Sequence, residues 1–380
     1  MRYKLLSEFC DLNMGQSPDS STYNNQGEGL PFYQGNADFG IIHPKTRVWC
    51  SAPVKRAHAD DILISVRAPI GAMNIALEEC CIGRGLAALT PKQDVCNQKY
   101  LYYALESCVD LLVAKGTGST FKAISKKTLE ETEIPDYSLA EQEEITGLIG
   151  KTDALIEARK SQLRDLDILV KSRFIELFGD PKYNALEWPV YLLGNLFTVG
   201  SSKRIYQSDQ VQEGIPFLRI SDLMNRIENK DETAELFITA ELYEELRENN
   251  LVPVVGDILV TSRGTLGQCY QIREQDKFYF QDGMISWLYN RNEKITNTYL
   301  MYLFRMPGFR LQIDEVPAGS TVNYLSLVRM KNLKIMCPPL ELQEQFAAFV
   351  EEVDKSKFVV QKSLQELEPL KKSLMQEYFG

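Results

Sequence analysis

Residues 139–178 read LAEQEEITGLIGKTDALIEARKSQLRDLDILVKSRFIELF, and residues 340–379 read LELQEQFAAFVEEVDKSKFVVQKSLQELEPLKKSLMQEYF. The two stretches align without insertion at an offset of 201 residues (340 − 139), which carries Gln142 to Gln343. A repeat of half the chain is much longer than the period of about 20–50 residues found in solenoid proteins. The sequence therefore predicts two whole domains joined in tandem, an arrangement that tends towards pseudo-twofold symmetry.

Apolar residues in both stretches recur on alternating steps of three and four residues. This spacing is typical of a helix that packs along its length against another helix. We expect two long antiparallel coiled-coil helices that pair with each other, with a kink at Pro369 in the second; the alternative is that each helix packs only inside its own domain. The residues expected at the helix-pair or subunit interface are Ile149, Ile156, Leu163, Leu166, Val170, Val353, Val360, Leu364, Leu367 and Leu374.

Upstream of the helices the repeat continues, but its offset drifts. Asp61–Arg67 matches Asp257–Arg263 at an offset of 196 (257 − 61), whereas Gly29–Phe32 matches Gly214–Phe217 at 185 (214 − 29). A changing offset indicates loops of different length on one scaffold. Short apolar runs predict buried strands at 62–66, 85–89, 258–261 and 284–288, and helices are expected at 98–112 and 297–304.

The predicted fold is therefore α/β, with two tandem mixed α/β domains and two long helices. The expected segments are a first domain at 1–138, a first spacer helix at 139–181, a second domain at 182–339 and a second spacer helix at 340–380.

Composition limits the classes of function. Hydrophobic residues make up 44% and charged residues 25% of the 380 residues, as in soluble globular proteins. Without a signal core or a long apolar run, we expect a cytoplasmic protein that does not cross a membrane. The eight cysteines contain no C-x-x-C pair and are expected to be reduced thiols. Both histidines lie in the first half, which excludes a repeated histidine-based site.

Several turns combine glycine with hydrogen-bond donors. Arginine, glutamine and asparagine can pair with base edges, and serine, threonine and backbone N–H groups suit phosphates. For any one turn residue, a solvated loop residue is the simpler interpretation. Arg67 and Arg263 stand out because each follows a predicted buried strand at the same place in both copies. The candidate DNA-binding residues are Gln34, Asn36, Arg67, Arg84, Lys122, Arg219, Ser221, Arg263, Asn323 and Tyr324.

No catalytic motif is present in the sequence. It contains neither a G-x-x-x-x-G-K-[ST] phosphate loop nor a G-x-S-x-G elbow, and no Asn- or Asp-Pro-Pro-aromatic tetrapeptide. Glu228 and Lys230 fit the E-x-K fragment of a nuclease centre, but a three-residue match is mostly chance. The net charge of −10 also counts against a free-standing DNA binder, which usually carries a basic surplus.

Taken in order, and duplicated, the motifs resemble those of specificity subunits of type I restriction–modification systems. The resemblance covers essentially the whole chain. One departure occurs in the first copy, where Ala59-Asp60-Asp61 lacks the glycine expected before the last aspartate. The motifs that carry the resemblance are WPVYLLG at 188–194, GDIL at 256–259, PPLELQEQ at 338–345 and LFGDP at 177–181.

This resemblance implies a non-catalytic subunit with two target-recognition domains, each reading one half of a split, asymmetric site in double-stranded DNA. The helix pair would space the half-sites and dock two modification (methyltransferase) subunits. Those partners would bind S-adenosylmethionine and methylate adenine, while restriction subunits would supply ATP- and Mg-dependent translocation and cleavage. Partners could then provide much of the positive charge that this chain lacks. Two alternatives stay open at this point: a two-headed protein-binding scaffold without DNA, and a nuclease using Glu228 and Lys230.

Overall fold

Tertiary contacts divide the protein into two compact units. Unit 1 is Met1–Ser161 with Val360–Gly380, and unit 2 is Gln162–Val359. Each unit therefore contains part of both long helices, and the division of the sequence into four segments stays a prediction. The structure, a computed structural model, describes residues 2–118, 122–228, 230, 234–315 and 324–380.

Unit 1 is a mixed α/β domain built on short strands. Its central strand β7 has the sequence ILIS and is buried on all four residues, as expected for an apolar run with neighbours on both sides. Its strands are β1 (Tyr3–Leu5), β2 (Cys10–Met14), β3 (Tyr23–Asn24), β4 (Leu30–Tyr33), β5 (Trp49–Cys50), β6 (Arg56–Ala57), β7 (Ile62–Ser65), β8 (Met73–Ile75), β9 (Cys80–Ile82), β10 (Leu86–Pro91) and β11 (Glu133–Pro135). Its helices are α1 (Leu6–Phe9), α2 (Gln98–Ser107), α3 (Val109–Ala114), α4 (Lys126–Glu130), the first part of α5 (Leu139–Phe178) and the last part of α12 (Leu340–Phe379).

Unit 2 repeats this plan with other connections. It carries two extra helices, α7 and α8, on either side of β16. Its strands are β12 (Val190–Leu192), β13 (Thr198–Gly200), β14 (Gln210–Val211), β15 (Ile215–Leu218), β16 (Phe237–Ile238), β17 (Ile258–Thr261), β18 (Cys269–Gln271), β19 (Tyr279–Phe280), β20 (Ile285–Tyr289) and β21 (Lys334–Met336). Its helices are the last part of α5, α6 (Leu193–Leu196), α7 (Ile220–Ile227), α8 (Ala240–Glu248), α9 (Asn297–Leu303), α10 (Pro307–Asp314), α11 (Leu327–Lys331) and the first part of α12 (Leu340–Phe379).

The equivalent strands of the two units share order and register, and β6 of unit 1 has no counterpart in the described sheets of unit 2. In unit 1 the described sheets run β1-β11, β2-β10-β7-β8 and β3-β5-β4-β9-β6, and in unit 2 they run β12-β21, β13-β20-β17-β18 and β14-β16-β15-β19. Tyr3 pairs with Pro135 as Val190 pairs with Met336, which preserves the sequence offsets of 187 and 201. The predicted strands and the helix at 297–304 are confirmed. The helix predicted at 98–112 is instead two helices, α2 and α3, which meet at Cys108.

Helices α5 and α12 are each 40 residues long, and α12 continues through Pro369. In unit 1 the Lys371 ammonium lies 2.9 Å from Asp153, and in unit 2 that of Lys357 lies 2.7 Å from Asp167. A second contact joins Lys160 to Glu368 at 4.0 Å in unit 1, and Phe174 to Phe346 in unit 2. In both units the contacts move towards the start of α12 as they move towards the end of α5, so the two helix segments run antiparallel. The prediction of two long paired helices is confirmed, and the kink stays a prediction.

Candidate nucleic-acid interface

In unit 1, two parallel strands bring two candidate loops together. Phe32 of β4 lies beside Cys81 of β9, and the strands run in the same direction, so both end at one edge of the sheet. Gln34 and Asn36 follow β4, and Arg84 follows β9.

The backbones of these loops touch. A Cβ added to Gly85 would lie 2.4 Å from the carbonyl oxygen of Gln34. Because backbone cannot give way at that distance, glycine is required at position 85 for the Gln34 and Arg84 loops to lie side by side.

Arg67 and Lys122 join the same edge through main-chain hydrogen bonds. The N–H of Val66 donates to the Gly85 carbonyl at 2.9 Å, and the N–H of Ala68 donates to the Lys122 carbonyl at 3.1 Å. The sequence-predicted residues Gln34, Asn36, Arg67, Arg84 and Lys122 therefore share one edge of unit 1, which we call the first rim.

The side chains of the first rim are available for binding. Those of Gln34, Arg67, Arg84 and Lys122 are exposed, and Asn36 is half-buried. Among the residues that the structure describes, no carboxylate forms an ion pair with any of the three cations. Three unneutralised cations beside two amide side chains can attract phosphates and offer donors to base edges.

Unit 2 builds the equivalent edge, the second rim, from Arg219, Ser221, Arg263 and Tyr324. Parallel strands β15 and β19 again end together, and the N–H of Gln281 donates to the Leu218 carbonyl at 2.9 Å. The Arg263 guanidinium lies over the Tyr324 ring, 5.0 Å from its centroid. The candidate Asn323 lies outside the described residues.

Arg219 differs from the arginines of the first rim because carboxylates hold it. Its Nη2 donates to Glu235 at 2.8 Å, and its backbone N–H donates to Asp222 at 2.8 Å. Hydrogen bonds to Asp222 and then to Glu235 raise the pKa of Arg219. Ser221 also donates to Asp222, at 3.3 Å. The second rim thus carries a positioned but largely neutralised arginine.

Sequence reasoning missed several contributors to the rims. The Arg204 side chain donates to Asp282 at 3.0 Å, and Glu235 reaches Arg219 from 16 positions away. In unit 1, the Ser17 hydroxyl accepts the N–H of Arg84 at 3.4 Å. Arg204, Glu235 and Ser17 do not stand in repeated motifs, so the sequence held no signal for them.

The predicted helix residues lie along the paired faces within each unit. Ile149, Ile156, Val360 and Leu374 are buried in unit 1, as are Val170 and Val353 in unit 2. Leu163 and Leu166 in unit 2 and Leu364 and Leu367 in unit 1 are half-buried. Ile149 and Leu374 also belong to the core of unit 1, so the helix segments help to form the domain core.

Other apolar side chains on the long helices face solvent. Phe358 and Val359 of α12 are 68% and 67% exposed, and Ile168 of α5 is 59% exposed, all in unit 2. In unit 1, Leu155 of α5 is 50% exposed. These residues are not among the predicted interface residues, and the sequence analysis did not identify them. They leave apolar surface exposed to solvent on both long helices.

The weak nuclease pair is a surface ion pair. Lys230 and Glu228 contact each other, with side chains 65% and 43% exposed. Within the described residues there is no group of three histidine, cysteine or acidic side chains that could hold a metal ion. None of the helices among these described residues is both long and apolar enough to span a bilayer.

Comparison with known proteins identifies the family. Residues 1–165 and 186–369 match the type I restriction modification DNA specificity domain. The chain is 42% identical over 160 residues to the MjaX specificity subunit of Methanocaldococcus jannaschii, covering 42% of this chain and 38% of that one. It is 26% identical over 336 residues to the MjaIX specificity subunit of the same organism, covering 83% and 75%. The chain belongs to the family of type I restriction–modification specificity subunits.

A solved structure supports the fold. The S subunit of a type I restriction-modification system from M. genitalium is 20% identical and has a TM-score of 0.57, covering 100% of this chain and 96% of that one. The match to the MjaX subunit spans well under half of that relative's length.

Proposed function

We propose that this chain is the DNA-recognition subunit of a type I restriction–modification complex. The observation that best supports this proposal is that each unit presents a rim of hydrogen-bond donors at equivalent strand ends. The equivalent strands share one register, but the side chains of the two rims differ. A repeated scaffold whose two rims carry different side chains suits a partner that has two binding sites of similar geometry and different sequence. Double-stranded DNA with two half-sites has this property.

In this proposal each unit reads one half-site. Arg67 and Arg263 are the first candidates for base contacts, because a guanidinium can donate two hydrogen bonds to guanine in the major groove. Arg84 and Lys122 suit phosphates, whose neutralisation provides most of the sequence-independent affinity. The chain performs no chemistry itself.

The long helices are proposed to dock two modification subunits. Support comes from the exposed Leu155, Ile168, Phe358 and Val359, whose burial would be favourable at about 25 cal/mol per Å² of apolar surface. S-adenosylmethionine, ATP and Mg would be bound by the modification and restriction subunits, which also offset the acidic charge of this chain.

Methylation of a randomised DNA library tests the proposal. The chain would be combined with the modification subunits of its own system and S-adenosylmethionine, and methylated adenines mapped by sequencing. We expect methylation only where two distinct half-sites lie at a fixed separation. Duplexes with one half-site scrambled provide the control.

Two outcomes would overturn the proposal. Methylation at any adenine regardless of sequence would remove the recognition role. Cleavage of DNA by the isolated chain with Mg²⁺, abolished by Lys230→Ala, would instead favour a nuclease.

A further inference from the structure

One glutamine in the first turn of each long helix is completely buried. Gln142 of α5 and Gln343 of α12 are both 0% exposed, and they correspond at the offset of 201. A neutral amide this deeply buried must have partners for its donors and acceptor, since each unpaired group would otherwise lose its hydrogen bonds to water.

The partners of Gln142 are main-chain groups of two separate loops of unit 1. Its Oε1 accepts the N–H of Asn97 at 2.8 Å, just before α2. Its Nε2 donates to the carbonyls of Val95 at 3.1 Å and Tyr137 at 2.9 Å. One side chain therefore ties the start of α5 to the loop before α2 and to the loop after β11.

Gln343 makes the equivalent bonds in unit 2. Its Oε1 accepts the N–H of Thr296 at 2.8 Å, just before α9, and its Nε2 donates to the carbonyls of Lys294 and Pro338, both at 2.9 Å. The same three connections thus occur twice, in loops whose sequences differ.

Helix initiation does not explain the repeated glutamine. Helix α5 begins with a capping box, in which Ser138 and Glu141 exchange hydrogen bonds through their side chains and backbone. Helix α12 instead follows Pro338-Pro339, and the N–H of Leu342 donates to the Pro339 carbonyl. The two helices start by different means, but each retains the bonds from glutamine to the loops of its unit.

We infer that Gln142 and Gln343 are positioning residues that fix the direction in which each long helix leaves its unit. The inference rests on the proposed function: a fixed direction makes the complex intolerant of a changed distance between half-sites. Only an amide serves, because the loops present one N–H and two carbonyls to it. A carboxylate would face two carbonyl oxygens, and an aliphatic side chain would leave all three groups without the bond.

The test measures methylation rate against spacer length, with the complete complex. Duplexes would carry the mapped half-sites with the natural spacer, one base pair shorter and one longer. A misplacement of about 1 Å can cost roughly a hundredfold in rate. We therefore expect the wild-type complex to methylate the altered spacers at least roughly a hundredfold more slowly, and Gln142→Leu or Gln343→Leu to reduce that difference to roughly tenfold or less. Base preferences within each half-site should stay unchanged.

Gln361→Leu is the matched control, since this glutamine of α12 is exposed. Hydrogen exchange gives a second measurement: the amides of Asn97 and Thr296 should exchange faster in the respective variants. If either leucine variant does not fold, the methylation rate against spacer length is measured with the glutamate variant at the same position instead.

An unchanged spacer profile with a uniform loss of activity would overturn the inference and leave the proposed function intact. A wild-type complex without a preferred spacer would instead refute the proposed function itself.

Discussion

The equivalent strands of the two units share one register, but the rims differ in how one of their arginines is held. Arg67, Arg84 and Lys122 of the first rim have no carboxylate partner among the described residues, whereas Arg219 of the second rim is held by Asp222 and Glu235. An unpaired cation attracts any phosphate, while a neutralised and positioned arginine must exchange partners before it binds DNA. The comparison indicates that duplication preserved the scaffold, while the two rims diverged in the way they would gain affinity for DNA.

A second difference lies where each unit packs on its helix segments. In unit 2, Phe346 contacts Phe174 and Phe178 edge-on with ring centroids 5.5 Å apart. In unit 1, Lys371 lies 2.9 Å from Asp153 and 3.3 Å from Glu106. Burial lowers the pKa of Lys371, but these two carboxylates outweigh it, so the pKa is raised overall. The position of Lys371 corresponds to the buried Val170 in unit 2.

The largest effect is expected for Phe346→Ala. Removing a completely buried phenyl ring from an aromatic cluster should lower the free energy of unfolding by about 3–5 kcal/mol. Denaturant titration, with hydrogen exchange to resolve unit 2, would measure it. Lys371→Met in unit 1 is the contrasting variant and should cost about 1 kcal/mol, because partly solvated ion pairs contribute little. Equal losses of unfolding free energy in the two variants would show that the aromatic contacts in unit 2 and the ion pairs in unit 1 stabilise their units to the same extent.

Next in size is the effect of Arg67→Ala on base discrimination. If Arg67 makes a paired contact with a base, its loss should cost about 1–3 kcal/mol at one position of one half-site. Lys122→Ala should instead weaken binding on all sequences and reduce the salt dependence by about one charge. Competition binding of the assembled complex with single-base variants separates the two outcomes. A uniform loss for Arg67→Ala would identify a phosphate contact.

The sequence predicted the scaffold better than the rims. The offset of 201 and the apolar spacing were sufficient for α5 and α12, because helix packing depends on local periodicity. Drifting offsets correctly placed the strands and their loop ends. The Arg219–Glu235 pair and the bonds from Gln142 to the loop before α2 depend on chain segments 16 to 47 positions apart, and single-sequence periodicity carries no information on such contacts.

Glu235→Gln has the smallest expected effect and tests the comparison of rims most directly. Glu235 is 77% exposed, so the neutral variant should fold normally while it removes one of the carboxylates that hold Arg219. An arginine released from an exposed ion pair of about 0.2–1 kcal/mol should bind DNA more tightly by a similar amount. The salt dependence of binding should also become steeper by about one charge.

Glu248→Gln makes the same change in net charge on α8, at an exposed residue that forms no ion pair among those described. A change in long-range charge alone would affect both variants equally. An effect confined to Glu235→Gln would show that this carboxylate competes with phosphate for Arg219. The second rim would then gain affinity by exchanging ion-pair partners, whereas the first rim would gain it from cations that have no carboxylate partner among the described residues.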